Sequence, residues 1–333
     1  MNRWTEAKAA KWQAAQPWLV GCNFNPSTAI NQLEMWQGPT FDPVTIDREL
    51  GWAAGIGMNV LRVYLHDLAY AQDVAGFLGR MDQFLGIATQ HGIRPGFAFF
   101  DDCWNHHPRP GRQPKPSPGV HNSGWVQSPS KAVALEPASW GRLEEYVQAV
   151  LRRFARDGRV AYWDLYNEPG NGTLGAKSLP LLEAVFKWAW AVRPDQPLTA
   201  GVWALDVKEN DHRVLEEYMY SASDIITFHD YETAEHLANQ IASLRKHKRP
   251  LLCTEWLRRP VSMVVTHLPV FKKEGVGCIN WGCVWGKTQT IYPWGSPGGG
   301  PEPNPWFHDL FRADGTPFSE EEAQTFRTLT GRA

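Results

Sequence analysis

The chain has 333 residues, 43% of them apolar and 20% charged, a composition that excludes a disordered polypeptide. Its 33 basic and 35 acidic side chains leave a formal charge of −2, so nothing draws the whole chain onto nucleic acid or an anionic membrane. The length suits two ordinary domains or one closed α/β barrel.

The first 17 residues are polar, carry Glu6, Lys8 and Lys11, and lack the apolar stretch of a secretory signal. Residues 1–17 read as an extra N-terminal helix, 18–333 as one further unit, and the expected location is cytoplasmic. No apolar run is long enough to predict a membrane span. Short apolar or β-branched runs then alternate with helix-like stretches. Strands are expected at 18–23, 59–66, 94–100, 160–167, 198–203, 225–229, 250–255 and 276–281. Helices are expected at 46–55, 74–91, 139–157, 179–192, 212–221, 234–247, 261–273 and 319–329. Ser139 is placed to cap one helix, and Gly92 and Gly158 to end two. Pro194 stops another. Ser319 precedes three glutamates that suit a first turn. Eight strand–helix units predict an α/β fold, a (β/α)8 TIM barrel, because each parallel strand needs a crossover helix. A doubly wound open sheet is the alternative, but its Gly-rich phosphate loop is missing.

Two connections exceed ordinary loop length. One, 101–137, follows the third strand and holds seven Pro, three His and two Trp; the other, 286–318, follows the eighth. In a barrel both rise from the C-terminal face, where active sites sit. Trp104, Trp125, Trp294 and Trp306 mark them as ordered walls of a cleft. His106, His107 and His121 lack zinc-site spacing and read as loop packing or substrate contacts, so no metal is expected. The five cysteines, an odd number, mostly fall in or beside strand-like runs and read as buried free thiols.

The most specific segment is Trp163-Asp164-Leu165-Tyr166-Asn167-Glu168-Pro169. Pro169 cannot continue a central strand, so Glu168 stands at the strand's rim. A later strand ends Thr254-Glu255-Trp256, three strands further round. The two glutamates therefore face each other across the barrel mouth. Alternation along a strand puts Arg62, Tyr64 and His66 on one face, Asp164, Tyr166 and Glu168 on another, and His229 with Tyr231. An arginine beside Glu255 is expected to lower its pKa, and the Glu255 charge to raise that of Glu168.

Asn-Glu-Pro on a fourth strand with Glu on a seventh resembles the clan A retaining glycoside hydrolases, most of all family five. The resemblance spans roughly the barrel. It implies Glu168 as acid/base, Glu255 as nucleophile and Asn167 as ligand of the sugar 2-hydroxyl. It also implies Arg62 as the holder of the nucleophile, His229 and Tyr231 as the sixth-strand His-x-Tyr pair, and Trp281 as the floor of the sugar site. Many relatives end the third strand in His. This chain has Asp101, Asp102, Cys103 and Trp104 there, so Asp101 or Asp102 is expected to take a hydroxyl contact.

Seventeen tryptophans also suit carbohydrate, since an indole offers a flat apolar face and one polar edge. Trp104, Trp125, Trp203, Trp256, Trp281, Trp285 and Trp294 fall near the expected mouth. Trp4, Trp12, Trp52, Trp140, Trp188 and Trp190 are expected to pack helices. The sequence thus predicts a retaining β-glycoside hydrolase acting by double displacement on β-linked oligosaccharides or glycosides. Gluco, manno and galacto substrates stay open. No cofactor is expected, because water and two carboxylates suffice. The alternatives are a sugar-binding barrel without catalysis and a transglycosylase using the same intermediate.

Overall fold

The computed structural model describes residues 2–203 and 210–332. In chain order its main elements are α1 (Glu6–Ala14), β1 (Val20–Asn23), α2 (Gln32–Trp36), α3 (Pro43–Gly55), β2 (Val60–Tyr64), α4 (Asp67–Gln72), α5 (Val74–Gln90), β3 (Arg94–Asp101), α6 (Lys131–Ala134) and α7 (Gly141–Phe154). There follow β4 (Trp163–Asn167), α8 (Leu179–Val192), β5 (Leu198–Val202), α9 (Asn210–Ala222), β6 (Ile226–His229), α10 (Ala234–Leu244), β7 (Leu251–Glu255), α11 (Val264–Glu274), β8 (Gly277–Asn280) and α12 (Glu320–Thr330). The eight strands pair in chain order and close, β8 onto β1, as a parallel TIM barrel. All eight expected strands are present. Their apolar, β-branched runs are buried on both faces, as a helix-covered parallel sheet requires.

The barrel interior is layered. At the bottom Leu19, Val60, Ala161, Tyr162, Ile225, Leu252 and Ile279 form an apolar plug, against which Trp12 of α1 packs. Above it lies a polar layer. Asn23 donates to the Thr254 and Asn280 carbonyls, and Thr199 bonds to Thr227, around the fully buried Arg62. Tyr64, Ala98, Trp125 and Trp281 form the top layer, with Tyr231 against them. Trp4 docks the N-terminal segment by a 2.7 Å bond from its backbone N–H to Asp224.

Helix ends follow local chemistry. Ser319 caps α12 by accepting from the Glu322 N–H, and Gly92 takes φ +70° just past α5. Ser139 does not cap α7. It closes a short 3-10 turn capped by Glu136, and Trp140 leads into the helix without a side-chain cap. Gly158 lies beyond the end of α7 at Phe154, and the left-handed residue ending α8 is Arg193, φ 52°. The short helices α2, α4 and α6 lie where no helix was expected. Each has six residues or fewer, so helical periodicity has no room to show. All five cysteines are free and buried. Among the described residues, no helix is long and apolar enough to cross a membrane.

The two long loops are joined to each other. Asn122 N–H donates to the Thr288 carbonyl, Gly299 N–H to that of Pro118, and Ser296 Oγ to that of Gly119. Gln289 accepts from Gly119 N–H and donates to the carbonyls of Ser117 and Val120.

Candidate active site

The strand ends of the C-terminal face open into a cleft of about 890 Å³. Pro169 stops β4, and Glu168 just before it takes φ 45°, a left-handed backbone that costs a non-glycine residue roughly 1–2 kcal/mol. β4 also carries a register irregularity against β5 between Asp164 and Asn167. It lets Asp164 and Asn167, three residues apart, both reach Arg62, at 2.7 and 2.5 Å. Strict alternation therefore fails here. Tyr166 points away from Asp164, into the core against Phe100. His66 likewise leaves the Arg62 face and accepts from Leu68 N–H at the start of α4.

Glu255, at the end of β7, is held from three sides. Arg62 and Tyr64 each donate to Oε1 at 2.8 Å, and Tyr231 donates to Oε2 at 2.8 Å. Burial pushes both phenols well above their usual pKa, so they remain donors. Glu168 meets His229 Nδ1 at 2.6 Å through Oε1. Its Oε2 accepts from Asn171 at 2.6 Å and from the Cys103 thiol at 3.1 Å. Burial also raises the Cys103 thiol, which stays protonated, and lowers His229 to about 4, so the imidazole is neutral. Gly201 on β5 makes room for this cluster: a Cβ there would come within 3.2 Å of His229 Nε2 and 3.3 Å of Arg62.

Burial raises the pKa of both carboxyls. This corrects the expected lowering of Glu255: Arg62 and Tyr64 oppose the rise without reversing it, and a charge on Glu168 adds to it. The pair is still asymmetric. Glu255 has a guanidinium and two phenols on its oxygens, whereas Glu168 has a neutral imidazole, an amide and a thiol. When the two carboxyls share one proton, the negative charge is better accommodated on Glu255 and the proton on Glu168.

The structure brings Arg62, Asn167, Glu168, His229, Tyr231 and Glu255 together, with Trp281 and Asp101 beside them. Asp101 accepts from Asn167 at 2.9 Å and from Trp125 Nε1 at 2.8 Å, and it lines the cleft. Trp281 packs edge-on against Tyr64 and Trp125. Trp104 stands at the rim, 40% exposed, stacked on His121. Trp203 also lines the cleft, its indole donating to the Pro169 carbonyl.

Three expected ligands lie elsewhere. Asp102 is fully buried and accepts from Tyr166, Gly170 N–H and Ser178; it anchors the loop after β4, and burial lifts its pKa to about 7. Trp256 follows an inward-facing glutamate, so it points outward and packs on His267 and Phe271 of α11. Trp285 packs on Trp306 within the last long loop. Sequence reasoning missed Cys103 and Asn171 as partners of Glu168. Neither has a motif, and only the fold brings them to the carboxylate.

Among the described residues, the one group with metal-ligand spacing is Glu168, His229 and Glu255, whose candidate atoms lie within 4.8 Å of one another. Its oxygens already accept from N–H, O–H and S–H donors, and a guanidinium lies 2.8 Å away, a setting for a shared proton rather than a second cation. His106, His107 and His121 do not form such a group.

No protein-family model matches the chain, and no curated protein matches it by sequence. Solved structures do. An alanine variant of a GH5_18 protein from Streptomyces cattleya, in complex with Manb1-4GlcNAc, superposes with TM-score 0.68 at 11% identity, covering 94% of this chain and 80% of its own. An exo-beta-1,4-mannosidase from Opitutaceae bacterium strain TAV5 gives 0.63 at 16% identity, over 94% of this chain and 60% of its own. An endo-beta-1,4-mannanase from Thermotoga petrophila gives 0.61 at 12%, over 96% and 77%. The fold is that of the glycoside hydrolase family five barrels, as the strand-end motifs lead one to expect.

Proposed function

We propose that this chain is a retaining β-glycoside hydrolase in which Glu255 is the nucleophile and Glu168 the acid/base. The observation that carries this reading is the carboxylate pair itself, at the ends of β4 and β7, with one oxygen of each within 4.8 Å of the other. A retaining enzyme holds its carboxyls about 5–5.5 Å apart, whereas an inverting one leaves about 6.5–9.5 Å for a water between them.

In the first step a Glu255 oxygen attacks the anomeric carbon as the glycosidic bond breaks. Glu168 gives its proton to the departing oxygen, and a glycosyl ester on Glu255 remains. Esterification removes the Glu255 charge, which lowers the pKa of Glu168. Glu168 then takes a proton from water as the water oxygen attacks the same carbon, and Glu255 leaves as carboxylate. Two inversions give net retention. Asn167, fixed by Arg62 and Asp101, is available to the sugar 2-hydroxyl.

The test is proton NMR of the first product formed from a panel of aryl β-glycosides, headed by the manno configuration that the structural neighbours' names carry. The β-anomer should appear first and mutarotate later. First appearance of the α-anomer would overturn retention.

The assignment also predicts the pH profile. Glu168 must be protonated for the first step, so it sets the alkaline limb of kcat/KM. The Cys103 thiol donates to Oε2 and favours the ionised form. Cys103→Ala should therefore move the alkaline limb upward, by about half to one pH unit, if the bond is worth its ordinary net energy. An unmoved limb, or one moved downward, would refute the thiol's part.

A further inference from the structure

The joined loops add something the carboxylate pair does not. β3 and β8 are not neighbours in the closed barrel, because β1 and β2 lie between them. For segment 117–122 to hydrogen-bond with 288–299, the chain must cross the mouth above β1 and β2. His121 adds a 2.7 Å contact from Nδ1 to the Tyr292 carbonyl. The loop after β1 supports this bridge from below: Asn31 donates to the Gly124 carbonyl, Gln32 to that of Val126, and Lys287 pairs with Glu34. Accordingly, among the described residues, none that lines the cleft comes from the loops after β1 or β2.

The bridge lies on the Glu255 side. Trp125 packs on Tyr64, and Trp294 packs on Tyr231; both tyrosines donate to Glu255. Trp125 N–H bonds to the Asn122 carbonyl, so the crossing segment starts one aromatic residue from the tyrosines around the nucleophile. On the Glu168 side the lining includes Asn171, Trp203 and His236, from the β4, β5 and β6 ends. The sugar that bonds to Glu255 lies on the bridged side, and the leaving group that Glu168 protonates lies on the other.

We propose that the bridge closes the cleft just beyond the sugar carried by Glu255, so that the protein removes single sugars from the non-reducing end of short β-linked oligosaccharides. This rests on the hydrolase reading above. A groove that cuts inside a polymer needs room for chain on both sides of the bond, and the bridge denies it on one. His121 and Asn122 line the cleft on this side. Gln289 is the anchor, with bonds to three residues of the crossing segment and none to the carboxylates.

The experiment uses β-linked gluco-, manno-, galacto- and xylo-tetrasaccharides labelled at the reducing end, each with a twin whose terminal 4- and 6-hydroxyls carry a bulky acetal where the sugar has both. Products are followed by mass spectrometry. The expected first products are one unlabelled monosaccharide and the labelled trisaccharide, with the blocked twin cut at least about tenfold more slowly. Gln289→Gly tolerates the native φ of 55° at this position and loosens the bridge by removing its bonds to Ser117, Gly119 and Val120. Its rate on the blocked twin should rise at least about tenfold relative to the unblocked sugar, with thermal unfolding showing a folded barrel. Internal cleavage of the unblocked sugar, or an unchanged preference in the folded variant, would overturn the inference and leave the hydrolase reading standing. No cleavage of any member by wild type and by Glu168→Gln alike would overturn both.

Discussion

Glu255→Ala should lower kcat/KM on an aryl β-glycoside by roughly 10⁴–10⁶-fold while leaving the barrel folded. In the proposed mechanism this carboxylate attacks the anomeric carbon, and its loss leaves a gap the size of a carboxymethyl group beside that carbon. The fold survives because Arg62 keeps Asp164 at 2.7 Å and Asn167 at 2.5 Å. Azide can enter the gap and displace the leaving group directly, giving an α-glycosyl azide by a single inversion. Glu168→Ala behaves differently. An aryl leaving group needs little protonation, so the ester still forms and its hydrolysis slows, by about 10²–10⁴-fold. Azide then attacks the ester and gives the β-azide. Exchange of the two product configurations would reverse the assignment of roles. Near-normal activity in both variants would remove the carboxylates from the chemistry.

Arg62→Met should destabilise the folded protein by about 3–5 kcal/mol. Arg62 is fully buried, and its guanidinium bonds to Asp164, Glu255, Asn167, Asn23 and Tyr64. Methionine has comparable bulk but leaves two buried carboxylates without a cation. Burial already raises the pKa of Asp164 and Glu255, and loss of Arg62 raises them further. A carboxyl whose folded pKa exceeds its unfolded value, about 4, contributes stability that is complete below that value and is lost as pH rises through the folded pKa. The deficit in the variant should therefore be small near pH ~4.5 and grow toward pH ~8. Thermal unfolding of wild type and variant across that range checks it. A deficit independent of pH would mean that lost packing, not stranded charge, is the cause.

The eight strands and both glutamates were legible because each rests on a local signal: β-branched runs, a proline that cannot continue a strand, a glutamate at the terminus. Arg62 was picked out by the family resemblance, and alternation along β2 placed it with Tyr64 but wrongly kept His66 on the same face. Two-residue alternation misplaced Tyr166, because the irregularity in β4 shifts the phase within the strand. Trp256 and Trp285 were misassigned because nearness in sequence to a site residue does not say which way a side chain points. The thiol of Cys103 and the amide of Asn171 reach Glu168 only through the folding of two loops. The bridge was illegible for a deeper reason: its halves are about 170 residues apart in sequence, and backbone groups with the side chains of Gln289, Ser296 and His121 join them with no periodic pattern.

Among the described residues, the apolar plug with Trp12 of α1 against it fills the barrel bottom, and the carboxylates face the mouth at the other end. Protons that enter or leave Glu168 and Glu255 pass through the mouth, the same space a sugar must occupy. On the proposed mechanism the pH of the medium therefore acts at the mouth twice, on the empty enzyme through kcat/KM and on the filled one through kcat.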